Sequence, residues 1–292
     1  MRNSTNSGLH PRSSGMALIA VLWIVAALSI MVTGLTATVR QQIRVAGAQR
    51  DQVTGQALGE AAIALALQEM QANRQPQQGM VAAVVPYAGV DIEVEAAPLS
   101  GLISLNGASV DLLAAMLNVA GGLDKGRAEA LAATLVKWRD GYPDLDLTDS
   151  ASARTMPRRF EAPEDLLLVP GVNYDLYARV APLVSADLRG IDRVNPRAAP
   201  LGVLAVLAEG DEARATRYLR QRENNPTGGA DASGFPPAFV GGGGGDLYRL
   251  RARVPLETGK MLLLTCDVAL RASGTAPWRI LHTDRQIVAS PG

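Results

Sequence analysis

The densest chemistry in the sequence lies in RDGYPDLDLTDSAS, where Asp140, Asp144, Asp146 and Asp149 place four carboxylates in ten residues. Hard oxygen donors at this spacing suit calcium, which takes six to eight such ligands. The stretch lacks the glycine at the sixth place and the closing glutamate of an EF-hand. As a bare acidic loop it therefore reads first as solvated carboxylates.

Other reactive residue types stand apart from one another. Cys266, in LLLTCDVAL, is the single cysteine, which excludes an intramolecular disulfide and any cysteine-based zinc site. An apolar setting makes it a small buried hydrophobe rather than a nucleophile. Apart from His10 the only histidine is His282, in a strand-like run, and no Gly-x-Ser-x-Gly is present, so no hydrolase triad can be assembled. The glycines of VGGGGGDL are not followed by Lys-Ser or Lys-Thr, so they form no phosphate-binding loop. With NNPTGGADASGFPPAF they read as a connector.

Two glycine turns, AGGLDKGRAEAL and VPGVNYDLYARV, have the form of helix-hairpin-helix segments, whose backbone N–H groups can grip a phosphate. The cations near them, Lys125, Arg127 and Arg179, are offset by Asp124, Glu129 and Asp175. Structural helix packing is the preferred reading, with a membrane-tethered periplasmic DNA-uptake protein as the alternative. Over the whole chain, 28 basic residues balance 28 acidic ones, so no net field draws the molecule to nucleic acid.

These residues must be positioned by a chain of 292 residues that is 48% hydrophobic, ample for a folded core. From Met16 to Val39 there is no charge. As a helix this run would be roughly 36 Å long, enough to cross a hydrocarbon core of about 30 Å. The short leader with Arg2 and Arg12 favours a cytoplasmic N-terminus and an exported body. A cleaved secretion signal ending near TAT is the competing reading. No proline interrupts the chain from there to Pro76, and Ile43, Ala46, Ala57, Leu58, Ala61, Ala62 and Leu65 recur at mostly helical spacings. One long helix is expected, with a face through Ala57, Ala61 and Leu65 packing on a sheet or on partner helices.

Past the helix, YAGVDIEVEAA alternates Val90, Ile92 and Val94 with acidic residues, as a half-buried strand does, and is expected to follow the helix directly. DLYRLRARVPL, KMLLLTCDVALR and PWRILHTDRQI are three further strands, the first with Tyr248, Leu250, Ala252 and Val254 on one face and arginines on the other. Residues 102 to about 225 read almost wholly helical. Asn106 or Ser109 serves as a cap, Gly121-Gly122 forms a break, a helix runs from about Lys125 to Trp138, and Pro163 lies near another start. Leu105-Asn106 and Val194-Asn195, each before a helix pair, indicate a weak internal repeat.

The Gly15-Met16 junction, with a basic leader before it and an apolar helix after it, resembles the class III signal of type IV pilins and type II secretion pseudopilins. SLNGASVDLLAAML, then KWRD, then FEAPEDLLLVPGV, in that order, resemble the K-type minor pseudopilins. The resemblance implies cleavage after Gly15 by a prepilin peptidase and methylation of Met16. The family's usual glutamate at the fifth mature position is here Ala20. A carboxylate at that depth costs about 2.5–3.5 kcal/mol and persists only with a partner. Its absence suits a subunit with nothing above it, the filament's tip.

The resemblance further implies an α+β fold: a long N-terminal transmembrane helix and a pilin-like α/β domain with an antiparallel sheet, interrupted by a large helical, helix-hairpin-helix-like insertion. On that plan residues 1–15 are leader, 16–39 anchor, 40–75 the continuing helix, and 80–101 the first part of the pilin-like domain. Residues 102–225 are the inserted block, 226–245 a linker, and 246–292 the closing strands. Implied partners are minor pseudopilins of the I and J types, the prepilin peptidase and the bacterial inner membrane, with no nucleic acid and no catalysis. Calcium is implied beside the helix end, with Asp140 at the family's position and Asp144 and Asp146 as its neighbours.

Overall fold

The computed structural model describes residues 14–73, 79–141, 159–225, 230–242, 245–270 and 276–289, with the side chains of 14–17 and 30–45 excepted. The chain divides into two compact units, Met1–Thr54 and Gly55–Gly292.

The first unit holds the beginning of α1 (Ser14–Ala72), a helix of 59 residues. Every described side chain from Leu18 to Ser29 is exposed, including Leu18, Leu22, Trp23 and Leu28. Among the described residues no helix is long and apolar enough to cross a membrane. The anchor expected over Met16–Val39 falls in part on side chains outside those described.

The second unit is built on a five-stranded antiparallel sheet of β1 (Val81–Tyr87), β2 (Val90–Pro98), β5 (Leu247–Pro255), β6 (Lys260–Ala269) and β7 (Arg279–Ala289), in that order. The period-2 residues form one face: Ile92 and Val94 of β2 and Tyr248, Leu250, Ala252 and Val254 of β5 are all buried, with Leu262, Leu264 and Val268 beside them. Onto this face the last turns of α1 pack Ala62, Ile63 and Leu67. A Cβ added at Gly55 would come within 2.5 Å of Leu256 Cδ2, and one at Gly59 within 3.1 Å of Leu264 Cδ2.

Of the two packings expected for Ala57, Ala61 and Leu65, on the sheet or on partner helices, the sheet seam uses other residues. Ala57 is exposed, Leu65 is 40% exposed and Ala61 only half-buried. The segment is apolar nearly all round, so periodicity does not select a face. Glycines four apart do, because they let the helix backbone approach the sheet.

The strand over VDIEVEAA does not follow the helix directly. β1 precedes it, joined through Ala88 (φ 50°) and Gly89 (φ 81°), the two left-handed residues of a type I′ hairpin turn. β1 carries Pro86 and exposes most of its side chains, so its sequence VAAVVPY shows no alternation. Proline is tolerated there because β1 is a sheet edge.

The chain leaves the sheet after Pro98 and returns at Leu247, and Pro98 pairs with Tyr248 across β2 and β5. Between them lie α2 (Val110–Val119), α3 (Lys125–Asp140), α4 (Tyr174–Val180), α5 (Leu201–Leu207) and α6 (Glu212–Asn224). Their separate core includes Leu112, Met116, Leu135, Leu166, Leu176 and Leu204. Ser109, Asp124, Asn173 and Asp211 cap four of these helices, each accepting a hydrogen bond from the backbone N–H three residues on.

Ser109, and not Asn106, is the cap of α2. The block is also less helical than its sequence reads. Pro163–Leu168 is a 3-10 turn, and β3 (Ile103–Ser104) pairs in parallel with β4 (Val184–Ser185) at its centre. β-Branched Ile103 and Val184 are buried side by side there, and a two-residue ladder is too short to leave a period in the sequence.

Candidate functional site

The processing residues expected from the sequence, Gly15 and Met16, lie in the first turn of α1, and their side chains fall outside those described. Of the three expected calcium ligands, only Asp140 is described. It is the last residue of α3, and Gly141 at φ 75° turns the chain away behind it. Its exposed carboxylate accepts a hydrogen bond from Arg139 Nε at 2.9 Å. Asp144 and Asp146 lie outside the described residues. Among the described residues no group of three His, Cys, Asp or Glu side chains could hold a metal.

The frame around the acidic loop is well defined. Trp138, near the end of α3, stacks on Phe160, with ring centroids 4.6 Å apart. Asn106 Nδ2 donates to the carbonyls of Phe160 (2.8 Å) and Ala186 (2.7 Å), while Phe160 N donates to Asn106 Oδ1 (3.0 Å). Arg139, largely buried, donates through Nη1 to the carbonyls of Ala108 (2.9 Å) and Leu105 (3.3 Å). The residues flanking positions 142–158 are thus joined by the ring stack of Trp138 on Phe160, and Asn106 holds Phe160 from before α2. Sequence reading treats Asn106 only as a cap candidate, because nothing local shows that its partner lies 54 residues away.

The sheet face opposite α1 carries the arginines of β5, each set against an acid. Arg253 pairs with Glu93 at 2.9 Å, Arg251 with Glu95 at 3.7 Å, and Arg249 with Asp267 in a bidentate contact at 2.7 and 2.8 Å. The last pair is buried, its side chains 12% and 4% exposed. Cross-strand register dictates the first two pairs, since Glu93 faces Arg253 and Glu95 faces Arg251 directly. Glu95, Arg249 and Arg251 also line a cavity of about 20 Å³ with Leu102, Ala198 and Pro200, so the helical block sits over this charged face.

Asp187, in the segment between β4 and α5, is half-buried. Its carboxyl is raised above the usual range by burial and by Asp267, against the opposing pull of His282, Arg189 and Arg279. The Tyr177 hydroxyl, pushed up to about 12 by burial and Glu164, donates to Glu164 Oε1 at 3.2 Å. Cys266 is buried as its sequence indicates, 3.8 Å from Thr283 Oγ1, and burial pushes its thiol up. A raised thiol pKa disfavours the thiolate form that a nucleophile needs.

At the first hairpin turn the charges are paired among themselves. Lys125 lies 4.0 Å from Glu129 and Arg127 3.9 Å from Asp124. Gly121 packs against Leu176, where an added Cβ would meet Cδ1 at 2.7 Å, and one at Gly171 would meet Leu131 Cδ1 at 3.2 Å. The two hairpins therefore use their glycines to pack on each other's helices.

A helix laid on an antiparallel sheet, with a helical block between two neighbouring strands, is a mixed α+β arrangement that matches a pilin-like fold. It is similar to a chain in the crystal structure of the GspK-GspI-GspJ complex from the enterotoxigenic Escherichia coli type 2 secretion system. The likeness has a TM-score of 0.55 at 14% identity and covers 82% of this chain and 98% of that one. No protein-family model and no curated protein matches the chain.

Proposed function

We propose that the chain is a K-type minor pseudopilin of type II secretion, forming the tip of the periplasmic pseudopilus. There it joins minor pseudopilins of the I and J types and helps to start assembly. The observation that supports this reading is the fold shared, over 82% of this chain, with a chain of the GspK-GspI-GspJ complex. That block is read as an insertion into a pilin-like domain. Its bulk would stop a further subunit from being added above.

The N-terminal segment fits the same reading. Gly15 and Met16 are proposed as the junction cut by the prepilin peptidase, with Met16 methylated and Met16–Val39 anchoring the body in the inner membrane. The wholly exposed apolar side chains of residues 18–28 support burial in lipid, since a soluble surface rarely carries so continuous an apolar band. Ala20 in place of the usual glutamate leaves no intramembrane charge in need of a partner above. The protein's work is assembly rather than catalysis.

Calcium at Asp140, Asp144 and Asp146 belongs to the same proposal. It is supported by the hard-oxygen composition of the loop and by the pinning of its ends at Trp138 and Phe160. The testing experiment is the mass of the mature N-terminus in membranes of a host with its prepilin peptidase. A chain beginning at N-methylated Met16 is expected; an uncut leader or a start near Arg40 would overturn the processing and anchoring described here.

A further inference from the structure

The outer face of α2 forms the floor of a cleft of about 510 Å³ that the secretion reading does not use. Its apolar lining includes Ala114, Ala115, Val119 and Phe239. Its rim is acidic, and the three acids come from three different elements. Asp111 stands in the first turn of α2, Glu129 in the second turn of α3, and Glu209 in the turn between α5 and α6. Among the described residues one cation, Lys125, lines the cleft, and it lies 4.0 Å from Glu129. Asp111 and Glu209 have no cationic partner among the described residues.

We infer that this cleft is a docking groove for a basic amphipathic helix of a partner protein, with small apolar residues on one face and Lys or Arg at its edges. Alanines let a helix backbone approach closely, while three acids at the rim favour cationic edges and disfavour acidic ones. Nucleic acid and anionic lipid carry the wrong sign for such a rim. The groove lies on the helical block, so the inference goes beyond the tip assignment and does not require it.

Glu209 offers a clean probe because its backbone is left-handed (φ 54°), followed by Gly210 at φ 91°. Glycine is the residue best suited to that conformation. Glu209→Gly thus removes a rim carboxylate while relieving the backbone, so lost binding cannot be ascribed to lost folding. Ala115→Trp fills the floor from a half-buried position.

The test is fluorescence anisotropy with the full chain in nanodiscs and a labelled helical peptide of alanine and leucine flanked by lysines. The same peptide flanked by glutamates is the control. The groove requires saturable binding of the lysine-flanked peptide that weakens as salt rises. It also requires about tenfold weaker binding in both Ala115→Trp and the Asp111→Asn/Glu209→Gly pair, with thermal melts no lower for Glu209→Gly. No saturable binding, equal binding of the glutamate-flanked peptide, or binding indifferent to these variants would overturn it.

Discussion

Asn106 and Phe160 exchange two hydrogen bonds, Nδ2 to the carbonyl at 2.8 Å and the backbone N–H to Oδ1 at 3.0 Å, so one side chain pairs with a backbone as a neighbouring strand would. The bonds join segments 54 residues apart. Replacing Asn106 with alanine leaves the Phe160 N–H and two carbonyls to find other partners. A loss of about 2–3 kcal/mol is expected in chemical denaturation of the full chain, with faster hydrogen exchange at Phe160. Unchanged stability would mean that water replaces the amide without cost.

The buried Arg249–Asp267 pair makes a second prediction. Asp267→Asn leaves a guanidinium in a nearly closed site and should cost about 3–5 kcal/mol. Replacing both residues by methionine and leucine should restore most of that loss. A double-mutant cycle by urea unfolding measures the coupling, and coupling near zero would show that the pair is solvated after all.

Asp187 gives a pH dependence of defined sign. Its native pKa is raised by burial, then by Asp267, so the folded state holds the proton more tightly than the unfolded chain. The stability this contributes is fully present below the unfolded value near pH 3.9, and is lost as pH rises through the raised native value. Asp187→Asn should therefore melt higher than the parent protein at pH 7 and converge with it near pH 3. A variant that melts lower at pH 7 would show that the carboxylate is stabilised by His282, Arg189 and Arg279 together.

The seam between α1 and the sheet separates substitutions at two positions, Ala57 and Gly59. Gly59→Leu must displace Leu264 and Val254, whose side chains already lie 3.1 and 3.3 Å from an added Cβ, and a loss of about 1–3 kcal/mol is expected. Ala57→Leu, on the exposed side, should leave the melting temperature within error. Equal effects at both positions would place the helix in a different rotation.

These cases also show how much of the fold can be read before it is seen. The alternation in β2 and β5 survives folding because each strand has one apolar face and one charged face, and the charged face then meets its own counter-charges. The cap Ser109 is equally local, acting on a backbone N–H three residues on. What escapes is whatever depends on distant partners. β1 has no alternation because it is an edge; the α1 seam is hidden among many alanines; Asn106 acts across 54 residues. Of the expected sites, Asp140 is found at a helix end, while Asp144 and Asp146 lie outside the described residues.

The central claim, a capping subunit that assembles with two other minor pseudopilins, is tested most directly by native mass spectrometry. The mature full chain would be co-expressed with the I-type and J-type proteins of the same host and extracted in mild detergent. The account predicts a stable complex holding one copy of this chain, with no further pseudopilin added above it. A chain that remains alone, or that enters repeatedly into filaments as a major subunit does, would contradict it.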